Sequence, residues 1–345
     1  MDAAVKKIVA EVKARKFQPV YFLQGEEPYF IDLISDSIEK NALTEPEKSF
    51  NQVVLYGSKD LSMATILTHA RRFPMMAERQ VVIVKEAQEL NDLTKEAGTK
   101  LLLNYLAQPV PSTVLVFCFK HKKLDGRTEL GKKIEKLAVT LNTKKLYDSQ
   151  LPDFVHEYLS ENKLTATDEA VHTLCEYVGN DLSRLVNEVD KLCIDLKPGE
   201  VIDRDRVFSQ VGVSREYNVF ELQKAVIKRD ALKAIRIVNY FEANPKKNPP
   251  ILIVAFLFSF FSKLLVASKA EDKSKPALIK LLKISPYAFP DYSYALQTYT
   301  PAKIVTNIGA IKEADLKLKG VDAGSTTGGQ LLRELIVKLL MPEPA

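Results

Sequence analysis

The chain predicts a multidomain protein in which an α/β domain on a parallel sheet is followed by all-helical domains. Three observations carry that expectation. Up to about Tyr147, apolar strand-like runs alternate with segments of helical periodicity. Beyond Asp148 strand signals nearly vanish while the 3.6-residue periodicity persists to the end. A length of 345 residues suffices for two or three domains, each with its own core.

The elements follow in order. Met1–Lys7 opens an amphipathic helix and has no apolar stretch followed by a cleavage site, so no secretory signal is visible and a cytoplasmic protein is expected. Strands are predicted at Val20–Leu23, Asn51–Leu55, Val81–Lys85, Thr113–Phe119 and Ala138–Leu141. These are continuous apolar runs rather than alternations, the pattern of parallel strands covered on both faces. Helices are predicted at about Tyr29–Lys40, Leu61–Arg72 and Lys100–Ala107, giving a doubly wound unit with right-handed crossovers. A small helical domain follows, with helices at Gln150–Glu161, Thr167–Val178 and Asp181–Cys193, N-capped by Thr167-Asp168-Glu169 and Asn180-Asp181. Lys197–Glu200 is a turn and Asp203–Val211 a short helix before Gly212. From Tyr217 a third, helical domain is interrupted by the proline-held loop Asn244–Pro250. The expected domains are therefore 1–148, 149–212 and 213–345.

Composition excludes little. Apolar residues make up 46% and charged residues 27%, as in globular proteins, and a net charge of +5 permits nucleic-acid contact without demanding it. Cys118, Cys175 and Cys193 are too widely spaced for a disulfide framework or a four-cysteine zinc site, and read as buried thiols in a reducing compartment. His69, His121, His156 and His172 show no metal-ligand spacing. The apolar run Ile251–Val266 is short for a membrane span and contains Lys263, so it is expected to be a buried helix of an all-α domain.

The segment Val20–Phe30 reads as a strand, a turn and a helix start, the place where a nucleotide-binding domain carries its phosphate loop. A Walker A loop needs a second Gly followed by Lys and Ser/Thr; counting from Gly25, those positions hold Phe30, Ile31 and Asp32. Glu26 and Glu27 stand where polyphosphate would lie and would repel it. After the third strand, where an ATPase places the Asp that directs Mg²⁺, the chain has Lys85-Glu86. Three readings stay open on these residues: a degenerate P-loop ATPase-like domain, an unrelated α/β domain, and a working ATPase with non-standard residues.

Between the helix from Leu61 and the third strand lies Arg71-Arg72-Phe73-Pro74-Met75-Met76-Ala77-Glu78-Arg79-Gln80. Pro74 ends the helix, and two long apolar side chains sit in a connection that would ordinarily be polar. Either Met75 and Met76 tuck under the helix as core, or they form an adaptable surface for a partner's pocket. The stretch Lys120–Lys145 is basic, with Lys120, Lys122, Lys123, Arg127, Lys132, Lys133, Lys136, Lys144 and Lys145. It reads as a solvated helix face or as a contact for DNA phosphates or a neighbouring subunit. Gly324–Gly329 has no following Lys-Ser/Thr and no preceding strand, so it reads as a loop before the last helix.

Five segments in order, VYFLQGEEPYFID, FPMMAERQVVIVKEAQEL, GNDLSRLVNEVDKL, YNVFELQKAV and EADLKLKG, resemble the delta subunit of the bacterial DNA polymerase III clamp loader. The resemblance implies a degenerate AAA+-like domain without ATP binding, a helical lid and a helical collar that packs with the other loader subunits, delta-prime and tau/gamma. It implies a non-catalytic role: binding the ring-shaped sliding clamp, the beta subunit, and opening it for loading onto primed DNA. No ATPase or polymerase activity is expected of this chain itself, although it would belong to the DNA polymerase III holoenzyme. No cofactor, metal or membrane partner is implied. In that family a pair of large apolar residues enters a pocket on the clamp; the matching positions are Met75 and Met76, beside Phe73 and Pro74, with Met-Met where Phe or Leu is more usual. The related delta-prime protein fits less well, because the chain lacks a cysteine zinc cluster and a Ser-Arg-Cys motif.

Overall fold

The computed structural model describes residues 3–197, 199–210, 217–322 and 324–341. Contacts divide the chain into two compact units, Met1–Tyr147 and Asp148–Ala345. The expected boundary between 212 and 213 lies outside the described residues, as do Pro198 and Val211.

The first unit is built on five strands, β1 (Val20–Gly25), β2 (Gln52–Tyr56), β3 (Gln80–Lys85), β4 (Thr113–Lys120) and β5 (Val139–Thr143). All pairings are parallel, in the order β2-β3-β4-β1-β5. Its helices are α1 (Ala3–Lys13), α2 (Pro28–Asn41), α3 (Glu45–Asn51), α4 (Met63–Ala70), α5 (Glu96–Ala107) and α6 (Glu129–Leu137). The continuous apolar runs of β1, β3 and β4 are explained by burial on both faces, while the edge strands β2 and β5 are only partly buried. Phe22, Val82, Val84, Leu115 and Phe117 join Ile66, Leu67, Leu102, Tyr105 and Ile134 in one core layer beneath α4, α5 and α6. The alternate residues Tyr21, Leu23, Val81, Ile83 and Val116 are equally buried on the opposite face, where α2 packs with α1 beside it. This strand order, with β1 central between β4 and β5, is that of P-loop ATPases of the AAA+ type. It brings the C-terminal ends of β1, β3, β4 and β5 to one edge, the usual place for a ligand in an open parallel sheet.

Among the departures from expectation, two boundaries bear on the exposed loop after α4. Asn51, expected to begin a strand, is instead the last residue of α3. The helix expected over Leu61–Arg72 is shorter: the Ser62 hydroxyl caps it by accepting from the Thr65 amide, and it stops at Ala70. A propensity reading cannot see either end, because each is fixed by side-chain hydrogen bonds.

The second unit contains α7 (Leu151–Glu161), β6 (Thr165–Ala166), α8 (Asp168–Val178), α9 (Leu182–Cys193), β7 (Val201–Ile202), α10 (Arg204–Gln210), α11 (Val219–Ile227), α12 (Ala231–Ala243), α13 (Pro250–Lys269), α14 (Lys275–Leu282), α15 (Phe289–Thr298), α16 (Pro301–Leu318) and α17 (Gly328–Leu340). Thr167 and Asp181 cap α8 and α9 by accepting from the Ala170 and Arg184 amides. The β6–β7 pair is too short to leave a periodicity signal. Thr327 and Gln330 form a capping box that starts α17 after the glycine-rich loop.

Helix α13 passes a length and composition test for a membrane span, and it is not wholly buried. Val254, Leu257, Phe260, Phe261 and Leu264 enter the helical core with α11, α12 and α16, whereas Ile251, Leu252, Phe258 and Val266 are exposed. The expectation of a buried helix holds for one face only. Cys118 and Cys175 are buried, and burial pushes their thiols up to about 11 and about 12, so they stay protonated at neutral pH.

Candidate functional site

The turn after β1 is closed against phosphate by its own hydrogen bonds. In a phosphate loop, successive backbone amides point at the anion. Here the Gly25 amide donates to the Lys122 carbonyl and the Glu26 amide to the Thr143 carbonyl, each at 3.1 Å. The Glu27 amide donates to Thr143 Oγ1, also at 3.1 Å. Gly25 has φ +135°, and a Cβ there would lie 2.2 Å from the Thr143 carbonyl oxygen, so this tight closure needs glycine. Glu27 is only 4% exposed, and its Oε1 accepts from the Tyr29 amide at 3.2 Å, capping α2. A carboxylate thus occupies the helix N-terminus that would otherwise attract a phosphate.

The positions that would carry the Walker chemistry are equally committed. Phe30 and Ile31 are core residues. Asp32 and Glu86 each pair with Lys120 Nζ at 2.9 Å, and Lys85 pairs with Asp36 at 2.8 Å. Lys120, with a side chain 12% exposed, is therefore an internal cation on the ligand-facing edge. Burial alone would raise the Glu86 carboxyl, but hydrogen bonds from Lys120 and Gln88 outweigh it and hold the pKa below its ordinary 4.5. Burial would lower Lys120, but its bonds to Glu86 and Asp32 hold its pKa above its ordinary 10.5.

These shifts make a pH prediction. The Glu86 contribution to stability is present above its ordinary 4.5 and is lost as pH falls through the lowered folded value. The Lys120 contribution is present below its ordinary 10.5 and is lost only as pH rises through the raised folded value. Lys120→Met is therefore expected to lower the melting temperature at neutral pH and to flatten its decline on acidification. Thermal denaturation between about pH 3 and pH 7 checks this, and an unchanged acid slope contradicts it.

The second feature is the connection from Arg71 to Arg79. Phe73 is 84% exposed, Met75 62% and Met76 102%, so neither methionine tucks under α4. Pro74 is half-buried between them. The backbone that displays them is held at both ends. After the loop, the buried Gln80 side chain donates through Nε2 to Thr113 Oγ1 at 2.8 Å and reaches the carbonyls of His69, Ala70 and Arg72, gathering the open C-terminal end of α4. Within the loop, Asn51 Oδ1 accepts from the Met75 amide at 2.6 Å and Asn51 Nδ2 donates to the Met75 carbonyl at 3.0 Å. The Arg79 guanidinium lies 4.8 Å from the Phe17 ring centre.

Met76 has φ +53°, a left-handed conformation that costs a non-glycine residue on the order of 1 kcal/mol. Met76→Gly is accordingly expected to leave stability unchanged or raise it by up to about 1 kcal/mol, although it removes a large apolar side chain. Chemical denaturation checks it, and a loss of stability would show that Met76 contributes to folding.

Sequence reasoning missed Asn51 and Gln80, which hold this loop, and Phe50, which is 73% exposed next to Asn51. An Asn or Gln next to a strand gives no local hint of a partner 24 residues away. Of the basic residues, Lys122, Lys123, Lys132 and Lys133 are exposed. Arg127 is exposed but held by Asp125 through Nε–Oδ1 at 2.9 Å and Nη2–Oδ2 at 2.7 Å. Lys120 faces inward, to Asp32 and Glu86.

The sheet order and the filled phosphate cradle define a class: an AAA+-type fold whose customary nucleotide site is occupied by its own side chains and carbonyls. The family model for DNA polymerase III, delta subunit, matches residues 21–144, and the model for the C-terminal domain of that same delta subunit matches residues 216–338. DNA polymerase III subunit delta of Bacillus subtilis (strain 168) is 28% identical over 282 residues, covering 80% of each chain. The solved Bacillus subtilis DNA clamp loader delta protein superposes with a TM-score of 0.62 at 24% identity, covering 97% of this chain and 99% of that one. The chain belongs to the DNA polymerase III delta-subunit family. It is a clamp-loader subunit of DNA replication, and the divergent-ATPase reading is not favoured.

Proposed function

We propose that this chain is the ring-binding subunit of its loader and engages the sliding clamp through Phe73, Pro74, Met75 and Met76. The observation that carries the reading is the display of three large apolar side chains on a loop backbone anchored by Asn51 and Gln80. Surface loops rarely present such residues without a partner. Burying the two methionines supplies roughly 3–6 kcal/mol before ordering costs. That is enough to dock, and it opens the ring by favouring a clamp conformation that exists beforehand, to the extent that the loop binds the open form better.

ATP is bound by other subunits in this reading. Three loop amides are already engaged within the chain, and of the Walker positions Phe30 and Ile31 are core residues while Asp32 is paired with Lys120. A titration with fluorescent ATP in the presence of Mg²⁺ is expected to show no saturable binding; saturable binding would restore the ATPase reading.

Residues 1–148, 149–212 and 213–345 serve as ATPase-like domain, lid and collar. The collar contacts delta-prime and tau/gamma, for which the exposed stripe Ile251, Phe258 and Val266 on α13 offers an apolar face. In the assembled loader, Lys122, Lys123, Lys132 and Lys133 lie free for DNA phosphate or a neighbouring chain, and the complex works in the cytoplasm. Co-elution of this chain with purified sliding clamp on a sizing column tests the function; separate elution at micromolar concentrations would count against it.

A further inference from the structure

We propose that Asn51 is the positioning residue of the clamp-binding loop: its side-chain amide grips both backbone groups of Met75 and sets the direction in which Met75 and Met76 leave the surface. This rests on the clamp-binding reading of that loop and adds how the loop is kept ready.

The geometry is specific. Asn51 is 3% exposed at the end of α3, and its oxygen accepts from the Met75 amide while its nitrogen donates to the Met75 carbonyl. The same nitrogen donates to the Glu47 carbonyl at 3.1 Å, tying the amide group to its own helix. An ionised carboxylate has no donor, and a hydroxyl carries its donor and acceptor on a single atom, so neither presents a separate acceptor and donor to the two backbone groups of one residue as this amide does. Among the described residues, no other hydrogen bond holds the backbone from Phe73 to Arg79. The next residue, Met76, sits in the left-handed region, a conformation the loop keeps only if its neighbours are fixed.

The consequence is preorganisation. A loop free to sample many conformations would dock only from the fraction that already displays both methionines, and its apparent affinity would fall by that fraction. A binding surface held in shape before contact avoids the ordering cost. Asn51 touches no partner in this account; it acts through Met75.

The test measures the affinity of immobilised sliding clamp for the wild-type chain, Asn51→Ala, Met75→Ala/Met76→Ala and the triple variant. Asn51→Ala is expected to weaken binding about tenfold, mainly in the association rate, and to add nothing in the double-alanine background. A purely structural role would make the losses additive. Hydrogen exchange on the unmutated chain supplies a second readout: the Met75 amide should be protected while the Phe73 and Met76 amides exchange freely. Asn51→Ala binding as tightly as wild type, beside a weakened double variant, would overturn the role of Asn51 and leave the clamp reading intact. Wild-type binding by the double variant would remove the clamp reading, and this proposal with it. Equal exchange at Met75 and Met76 would overturn the proposal even if Asn51→Ala failed to fold.

Discussion

Replacing Met75 and Met76 together with alanine is expected to weaken sliding-clamp binding by about 2–4 kcal/mol, roughly 30- to 1,000-fold, without lowering thermal stability. The asymmetry follows from where the side chains are. In the free chain Met75 is 62% exposed and Met76 fully so, and they lie outside the core layer beneath α4. Their apolar surface is thus available for burial in a partner rather than already used in folding. The estimate sits below the 3–6 kcal/mol of full burial because two flexible side chains lose rotamer freedom when they dock. Surface plasmon resonance with purified clamp gives the affinity, and a melting curve of the same preparation gives the control. A variant that binds less tightly and also melts early would point to folding instead.

Gly25→Ala carries the second large effect, on stability: a loss of about 3–5 kcal/mol, a large share of what a domain of this size possesses. A Cβ at Gly25 would sit 2.2 Å from the Thr143 carbonyl oxygen and 2.3 Å from Thr143 Oγ1, and φ +135° is itself strained for an L side chain. Relief would require β1 and β5 to separate at the end where the Glu26 and Glu27 amides bond to Thr143. Since Gly25 neighbours no residue of the Arg71–Arg79 loop in the strand order, the damage should appear in urea denaturation before it appears in clamp binding. A stability change under about 1 kcal/mol would show that the turn can open cheaply. The closed-cradle account would then fail.

Sequence and structure agree where burial dominates. The three inner strands were legible because both faces of the sheet are covered there, so Val20–Leu23, Val81–Val84 and Thr113–Phe119 read as unbroken apolar runs, whereas the edge strands β2 and β5 are only partly buried. The missing Walker residues at Phe30, Ile31 and Asp32 were legible as identities, since a loop without Lys and Ser/Thr lacks the groups that hold phosphate. Their replacement chemistry was not: Lys120 lies 88 positions from Asp32 and 34 from Glu86, and only the parallel register brings the three together. The prominence of Met75 and Met76 could be suspected from two apolar residues in a connection, but either fate was open until the loop's anchors were known. Asn51 illustrates the limit well. Its periodicity placed it in a strand, whereas its contribution comes from one side-chain amide meeting one backbone residue across the fold.

The central claim is that this chain holds the clamp by itself, with no nucleotide. Isothermal titration of sliding clamp with the purified chain, without ATP and then with saturating Mg²⁺-ATP, tests it most directly. The account predicts saturable binding with the same affinity in both conditions, weakened by the same roughly 30- to 1,000-fold in Met75→Ala/Met76→Ala. Binding that appears only when ATP is present, or that the double substitution leaves as tight as wild type, would contradict it.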